Sequence, residues 1–440
     1  MERLVITRPP RSDGQGAVSA ARDTIQSHLS RVEFTMMISM TMAVTALAID
    51  MMLPAFGAMR SEFGLAADSN AVAPIVTSFF LGLAIGQPIF GPLSDALGRK
   101  RVLYIGLTIY ILASIGAAFS PSLTVLLALR FVGGVGAAAP SVVSRSIVRD
   151  AYEGQAMAKA MSYVMAVFIL VPVLAPTLGA IILTVGTWHM IFWFFAAFGI
   201  GVGLWTRRMP ETLPPERRIP LNLSHLIGAT GVVFRSRFAM GLTFAMTALF
   251  AFFTSYLASS QLIVDDIFGL DPWFPTIFGG SAAVLGVGML VNARLLDIVD
   301  LRSLLRGTFV GYGASVVVFA TIAWTTGGEP PFWLFLVGLT PILFCHALLI
   351  PNLNAAAMIP MGNVAGTAAA VTGTITILGG ATVGAIIDRA YNGTIIPLAT
   401  AGLIGCAVAI AFFVWAERTW DDINPPTVSR TDGQELRAEN

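Results

Sequence analysis

Long apolar stretches alternate with short polar breaks along the whole chain. A helix needs about 20 predominantly apolar residues to cross the hydrocarbon core of a bilayer. Twelve runs meet that requirement: 34–57, 71–93, 102–120, 122–144, 157–184, 189–206, 238–261, 273–292, 304–325, 332–353, 365–387 and 395–416. Most breaks are short and polar or rich in Gly and Pro. One, from Arg207 to Arg237, is far longer and divides the runs six and six. It carries two Glu and six Arg, and its Pro210–Pro215 stretch cannot continue a helix. The pattern therefore predicts an all-α membrane protein: a tail over 1–33, a six-helix bundle over 34–206, a linker over 207–237, a second bundle over 238–416 and a tail over 417–440.

Composition narrows the class further. A soluble chain of 440 residues would hold two to four domains. Here apolar residues make up 56% and charged residues 12%, half the usual share of about 25%. With a mean hydropathy of +0.78 the charge is too sparse to coat a water-facing surface. The same figures argue against a disordered chain, and a porin-like barrel would alternate polar and apolar positions. A net charge of +1 leaves no domain-sized basic surface for a nucleic acid. Cys345 and Cys406 both lie inside apolar runs, which argues against a disulfide framework or a cysteine-based metal site. The residues through Arg31 are polar and dotted with Arg, with no apolar core of a cleavable signal peptide.

Orientation follows from the basic residues. With the N-terminus inside, 23 of the 26 Lys and Arg fall on the cytoplasmic side and only Arg60 and Arg389 fall outside. Both termini are then expected in the cytoplasm of a multi-pass inner (plasma) membrane protein.

Few ionisable groups lie within the runs. Of the 25 acids, 24 can be placed in loops, tails or helix ends, whereas Asp50 lies well inside the first run. Arg130 is the basic group placed within a run, the fourth, and His346 is the deeply placed histidine of the tenth. An ionisable side chain in the bilayer costs at least a few kcal/mol, so such residues usually face a cavity and work there. Asp50 could instead be a neutral packing residue, and His346 could be satisfied by neighbouring backbone. No His/Asp/Glu set has metal-ligand spacing, and no phosphate-cradling Gly-Lys-Ser/Thr loop occurs. Gly133-Gly134-Val135-Gly136 sits in mid-run, where small residues allow close helix packing. An enzyme and an ATP-driven pump are thus disfavoured, and transport driven by an ion gradient remains.

The stretch Gly91-Pro-Leu-Ser-Asp95-Ala-Leu-Gly98-Arg99-Lys100-Arg101 resembles the loop 2–3 signature of the major facilitator superfamily. Gly98 would allow the tight reversal, and Asp95 and Arg99 could latch helix ends through charge-assisted bonds. Leu126-x-x-x-Arg130-x-x-Gly133-Gly134-x-Gly136 resembles the span-four signature of drug:proton antiporters, with Gly133 at its usual Gln. Pro172-Val-Leu-Ala-Pro176-Thr-Leu-Gly179 resembles the antiporter signature of span five, with Ala175 and Ala180 at two of its glycines. Asp50-Met-Met-Leu-Pro54, Ile147-Val-Arg149-Asp150, Pro351-Asn352 and Ala365-Gly366-Thr367-Ala368 are similar to the bicyclomycin/chloramphenicol-resistance (Bcr/CflA) branch, with Met52 at its usual Tyr. A worn copy of the loop signature lies at about Asn292–Arg302.

The resemblance implies the major-facilitator fold, with twelve transmembrane helices in two pseudo-symmetric six-helix bundles around a cavity reached alternately from the two sides. It implies proton-coupled export of small amphipathic compounds, phenicol- or bicyclomycin-like antibiotics among them. On that reading Asp50 and Arg130 couple protons, and Gly91, Asp95, Gly98, Arg99, Arg149 and Asp150 form a conformational latch. Asp50, Phe80, Phe253, Tyr256, His346 and Asn352 are the candidate substrate contacts. Gly134, Gly136, Pro172, Pro176 and Gly179 are assigned to helix packing. The expected partners are a small-molecule substrate, protons and the lipid bilayer, with the proton gradient as energy source, no cofactor and a monomeric state. Two other functions stay open: import of a nutrient or osmolyte on the same scaffold, and a transport-dead sensor. An exporter's pocket should be apolar and aromatic, and Phe79, Phe80, Phe250, Phe252, Phe253 and Tyr256 offer such side chains, though aromatic stripes also pack or face lipid.

Overall fold

The computed structural model describes residues 29–66, 69–152, 154–219 and 223–423. The expected tails fall mostly outside them. The described residues are helical almost throughout. They comprise α1 (Arg31–Asp50), α2 (Phe56–Glu62), α3 (Pro74–Leu97), α4 (Arg99–Ala117), α5 (Leu123–Ala151), α6 (Gly154–Val185) and α7 (His189–Thr206). After the long break come α8 (Leu223–Arg235), α9 (Arg237–Leu262), α10 (Phe274–Leu295), α11 (Leu301–Thr325), α12 (Phe332–Met358), α13 (Ala365–Arg389), α14 (Ile396–Glu417) and a final turn, α15 (Trp420–Ile423).

Among the described residues eleven helices are long and apolar enough to cross a membrane. The fifth expected run coincides with α6, within which Leu170–Val185 is a shorter apolar helix. Two features add detail to the pattern read from the sequence. The first run does not form one regular helix over 34–57: α1 stops at Asp50, a 3₁₀ turn covers Leu53–Ala55, and α2 carries the path to Glu62. Pro54 is the physical cause, because it has no N–H to give the carbonyl four residues back, which is that of Asp50. The linker, in turn, is not wholly irregular. Its second part forms α8, whose Val233 is fully buried in a small cluster with Ala239, Met240, Met361 and Ala368.

The first group of helices is built around α5. Gly134 lets α5 meet α3 so closely that a Cβ there would lie 2.1 Å from the Phe79 carbonyl oxygen. Two residues on, Gly136 does the same against α4, where a Cβ would lie 2.5 Å from the Tyr110 nitrogen. Small residues drive such approach because lipid offers no hydrophobic contrast between helices. Gly179 brings α6 against the turn after α1, with its Cβ position 1.9 Å from the Met51 carbonyl oxygen, and Pro176 is buried nearby on the same helix. In the second group α9 packs on α13 and α14, and α12 on α10 and α11. The two groups meet chiefly along α3 with α13 and α6 with α10.

Candidate functional site

A cavity of about 350 Å³ lies where the two groups face each other. α1 contributes Thr45, Ala46, Ile49 and Asp50, and α3 contributes Phe80 and Leu83. Opposite them stand Phe250, Phe253 and Tyr256 of α9 and Phe278, Ser281 and Met289 of α10. Its rings form a continuous wall. Phe80 meets Phe250 edge-on across the two groups at 5.6 Å, and Tyr256 lies parallel to Phe278 at 6.3 Å. Edge and offset contacts of this kind let rings pack without losing an apolar face to the cavity.

Asp50 is 5% exposed and is the one carboxylate among the described lining residues. No hydrogen bond reaches its side chain from the described residues. The Pro54 break places it at the end of α1, beside the space a ligand would fill. Arg130 is not its ion partner here. Its guanidinium donates to the carbonyls of Ala48 at 2.8 Å and Ile75 at 3.3 Å, and stacks 4.3 Å over the ring of Phe79. It thus pins α5 to α1 and α3, two residues from Asp50 along α1. Charge-assisted bonds to carbonyls and a ring face offset the cost of burying a cation.

Of the other candidate contacts, Phe80, Phe253 and Tyr256 line the cavity. Pro172, assigned to packing, lines it as well. His346 does not: it stacks behind Phe253 at 4.8 Å, and its Nδ1 finds no partner among the described residues. Asn352 also lies away from the lining. It exchanges hydrogen bonds with Asn292, donating at 2.6 Å and accepting at 3.4 Å, and so ties α12 to α10. A buried amide needs such a partner, and only the fold brings positions 292 and 352 together.

The loop signature forms a dense polar cluster at the α3–α4 end. Gly98 has φ +98°, a backbone region that glycine favours. Arg99 is buried and forks onto Asp150 at the end of α5, with Nε to Oδ2 at 2.8 Å and Nη2 to Oδ1 at 3.3 Å. Its Nη1 donates to Ser94 at 2.9 Å and also pairs with Asp95. The Ser94 hydroxyl donates to the Gly91 carbonyl at 2.8 Å. Arg149, one position before Asp150, is not part of this fork. It is exposed, and its Nη1 reaches to 3.8 Å from where a Cβ on Gly366 of α13 would lie.

Sequence reasoning missed two contributions. The first comes from the linker. Glu211 accepts from the backbone nitrogens of Arg99 at 2.9 Å and Lys100 at 3.1 Å, so a carboxylate caps the otherwise unsatisfied start of α4. Thr212 adds its hydroxyl to Asp150 Oδ2 at 3.2 Å. The second is Asp388, placed with the helix-end acids but in fact 4% exposed. A signal was present: Gly380, Gly384 and Asp388 recur every fourth residue along one seam of α13.

Asp388 belongs to the opposite end of the bundle, where Arg60 of α2 forks onto Asp266 at 3.0 and 3.1 Å, joining the two groups. The Tyr391 hydroxyl donates to Asp266 at 3.2 Å. Burial, and then the nearby Asp266 charge, push that phenol well above its ordinary pKa, so it stays a donor. In the second group Arg302, at the end of the worn signature copy, pairs instead with Glu417 at 3.0 Å and Asp421 at 2.7 Å.

Comparison with known proteins agrees with this architecture. Residues 32–383 match the sequence profile of the Major Facilitator Superfamily. The chain is 26% identical over 376 residues to a bicyclomycin resistance protein homolog of Haemophilus influenzae, covering 84% of this chain and 92% of that protein. It is 25% identical over 410 residues to multidrug resistance protein D of Escherichia coli, covering 88% and 96%. A partially occluded inward-open structure of the E. coli xylose transporter XylE superposes with a TM-score of 0.68 at 13% identity, covering 89% and 99%, and shares the fold. The profile match spans most of the chain, and the helices it covers carry the signature loop: this chain belongs to the major facilitator superfamily of membrane transporters.

Proposed function

We propose that this transporter exports small amphipathic compounds across the inner membrane in exchange for protons. It does so as a monomer with twelve spans, α6 among them, and with both termini in the cytoplasm. The observation that carries the reading is the cavity itself. About 350 Å³ bounded by Phe80, Phe250, Phe253, Tyr256 and Phe278 suits a drug-sized apolar ligand, with one carboxylate at its edge. A sugar site would call for several amides and carboxylates around the ligand, and here Asn292 and Asn352 are spent on each other. Names of relatives at 25–26% identity, bicyclomycin resistance homolog and multidrug resistance protein, support the same substrate class.

Asp50 is the coupling residue in this reading. An acid that faces the cavity can hold either a proton or a bound substrate's favourable contacts, and exchange requires that the two ligands favour different states. Arg130 fixes the carbonyl of Ala48 and so sets where the end of α1 stands. The cluster around Arg99 and Asp150 stabilises one arrangement of the cytoplasmic helix ends.

The test is expression in an efflux-deficient host, scored against a panel of phenicols, bicyclomycin and lipophilic cations. Raised tolerance that vanishes with Asp50→Asn is the expected result. Unchanged tolerance across the panel, together with pH-driven uptake of a polar solute, would overturn the export reading in favour of import.

A further inference from the structure

We propose that Asp388 is a second proton-binding carboxyl, and that its protonation state controls whether the Arg60 end of the bundle is closed. The proposal takes that end as the outer one, as in the functional reading above.

Four observations converge on this group. Asp388 is 4% exposed, and its Oδ2 has no hydrogen-bond partner among the described residues. Its Oδ1 accepts from the Ser255 hydroxyl of α9 at 2.6 Å, and no cation among the described residues pairs with it. The approach is close: a Cβ at Gly384, one turn earlier, would lie 2.4 Å from Thr254 Oγ1 and 3.2 Å from the Ala251 carbonyl oxygen, so glycine there eases the approach of α13 to Ser255. Finally, the backbone carbonyl of Asp388 accepts from the amide of Asn70, which belongs to the other helix group. The residue therefore stands on the seam that must part when this end opens.

The charged groups around it are accounted for. Arg60 of α2 is committed to Asp266, and Tyr391 adds to the same carboxylate. Arg389 on the same helix is exposed, and Asp265, of the π-turn after α9, brings only further negative charge. An ionised Asp388 in the closed arrangement would keep one hydrogen bond and no counter-charge, an arrangement costly enough to favour opening to water. A protonated Asp388 removes that cost and leaves the Ser255 contact and the Asn70 bridge in place. Raising the pH should thus open this end.

Ser255 also links the group to the cavity, because the next residue, Tyr256, lines it. Asp388 is then placed to receive a proton from outside while Asp50 serves the cavity.

The experiment reads the distance between spin labels at Ser61→Cys and Asn392→Cys, both exposed, with Cys345 and Cys406 replaced by Ala. Purified full-length protein is titrated from about pH 5 to pH 9, without substrate. The parent is expected to show a longer distance population growing with pH. Asp388→Asn should lose that growth and remain at the short distance. Asp50→Asn should retain it. Ser255→Ala removes the donor that favours the ionised form, so its midpoint should move to higher pH by about half a unit or more. A parent-like response in Asp388→Asn, its loss in Asp50→Asn alone, or an unmoved midpoint in Ser255→Ala would each overturn the proposal. The readout is independent of export: absent drug export with intact Asp388-dependent opening would refute the functional reading and leave this one standing.

Discussion

Asp150→Asn changes one oxygen to an amide in the polar cluster that Arg99 organises at the α3–α4 end. The parent carboxylate accepts the Arg99 fork at 2.8 and 3.3 Å and the Thr212 hydroxyl at 3.2 Å, and both side chains of the ion pair are under 10% exposed. Removing one partner of a buried pair costs about 3–5 kcal/mol, because the other charge stays buried. Asp95 and Ser94 still hold Nη1, so the lower end, about 3 kcal/mol, applies. At about 1.4 kcal/mol per factor of ten, the balance between two arrangements of the helix ends at the α3–α4 side moves about a hundredfold. That amount redistributes states without unfolding a helical bundle of this size. The assay is pH-driven drug transport in inverted vesicles, alongside thermal unfolding of the purified variant. Transport should fall at least about tenfold while insertion and yield stay near those of the parent. Asp95→Asn should act in the same direction but more weakly, since its side chain is 40% exposed. Parent-like transport in Asp150→Asn would refute the latch, and a variant that fails to fold would show the cluster to be a structural staple.

Asp50→Asn imitates the permanently protonated acid; it should keep drug binding but lose substrate-induced proton release in detergent, and equal release from both proteins would move the coupling elsewhere. Arg130→Lys keeps the charge but cannot reach Ala48 and Ile75 while stacking on Phe79; transport should drop by about an order of magnitude or more, and unchanged export would reduce Arg130 to a point charge. Gly134→Val drives side-chain atoms into the Phe79 carbonyl region and should cost several-fold in folded yield by fluorescence size-exclusion, whereas a normal yield would mean the helices slide apart freely. Asn352→Ala leaves the Asn292 amide buried without its partner and should lower the unfolding temperature while sparing drug affinity, since neither amide lines the cavity; a selective loss of affinity would return Asn352 to the binding site.

The elements were set by local chemistry, and the sequence carries them. Runs of about 20 apolar residues have one stable outcome in a bilayer, because every backbone N–H and C=O must be satisfied within the segment. Asp95, Gly98 and Arg99 lie within one short stretch of sequence, so their cluster is legible as a motif, and Asp50 stands out because no charge surrounds it in sequence. Gly134, Gly136 and Gly179 are likewise readable as close-packing positions. Tertiary structure alone decided the partners. Arg130 could have faced Asp50, and helix rotation turned it to the Ala48 and Ile75 carbonyls. Asn352 could have met a substrate, and α10 gave it Asn292. Glu211 and Thr212 look like linker polarity until the chain folds back onto the start of α4. Asp388 reads as a helix-end acid until Gly384 lets α9 close over it. Helix formation depends on neighbours a few residues apart, whereas burial and pairing depend on contacts between residues far apart in the chain, such as Arg130 with Ala48 or Ser255 with Asp388, and those follow only from how the helices pack.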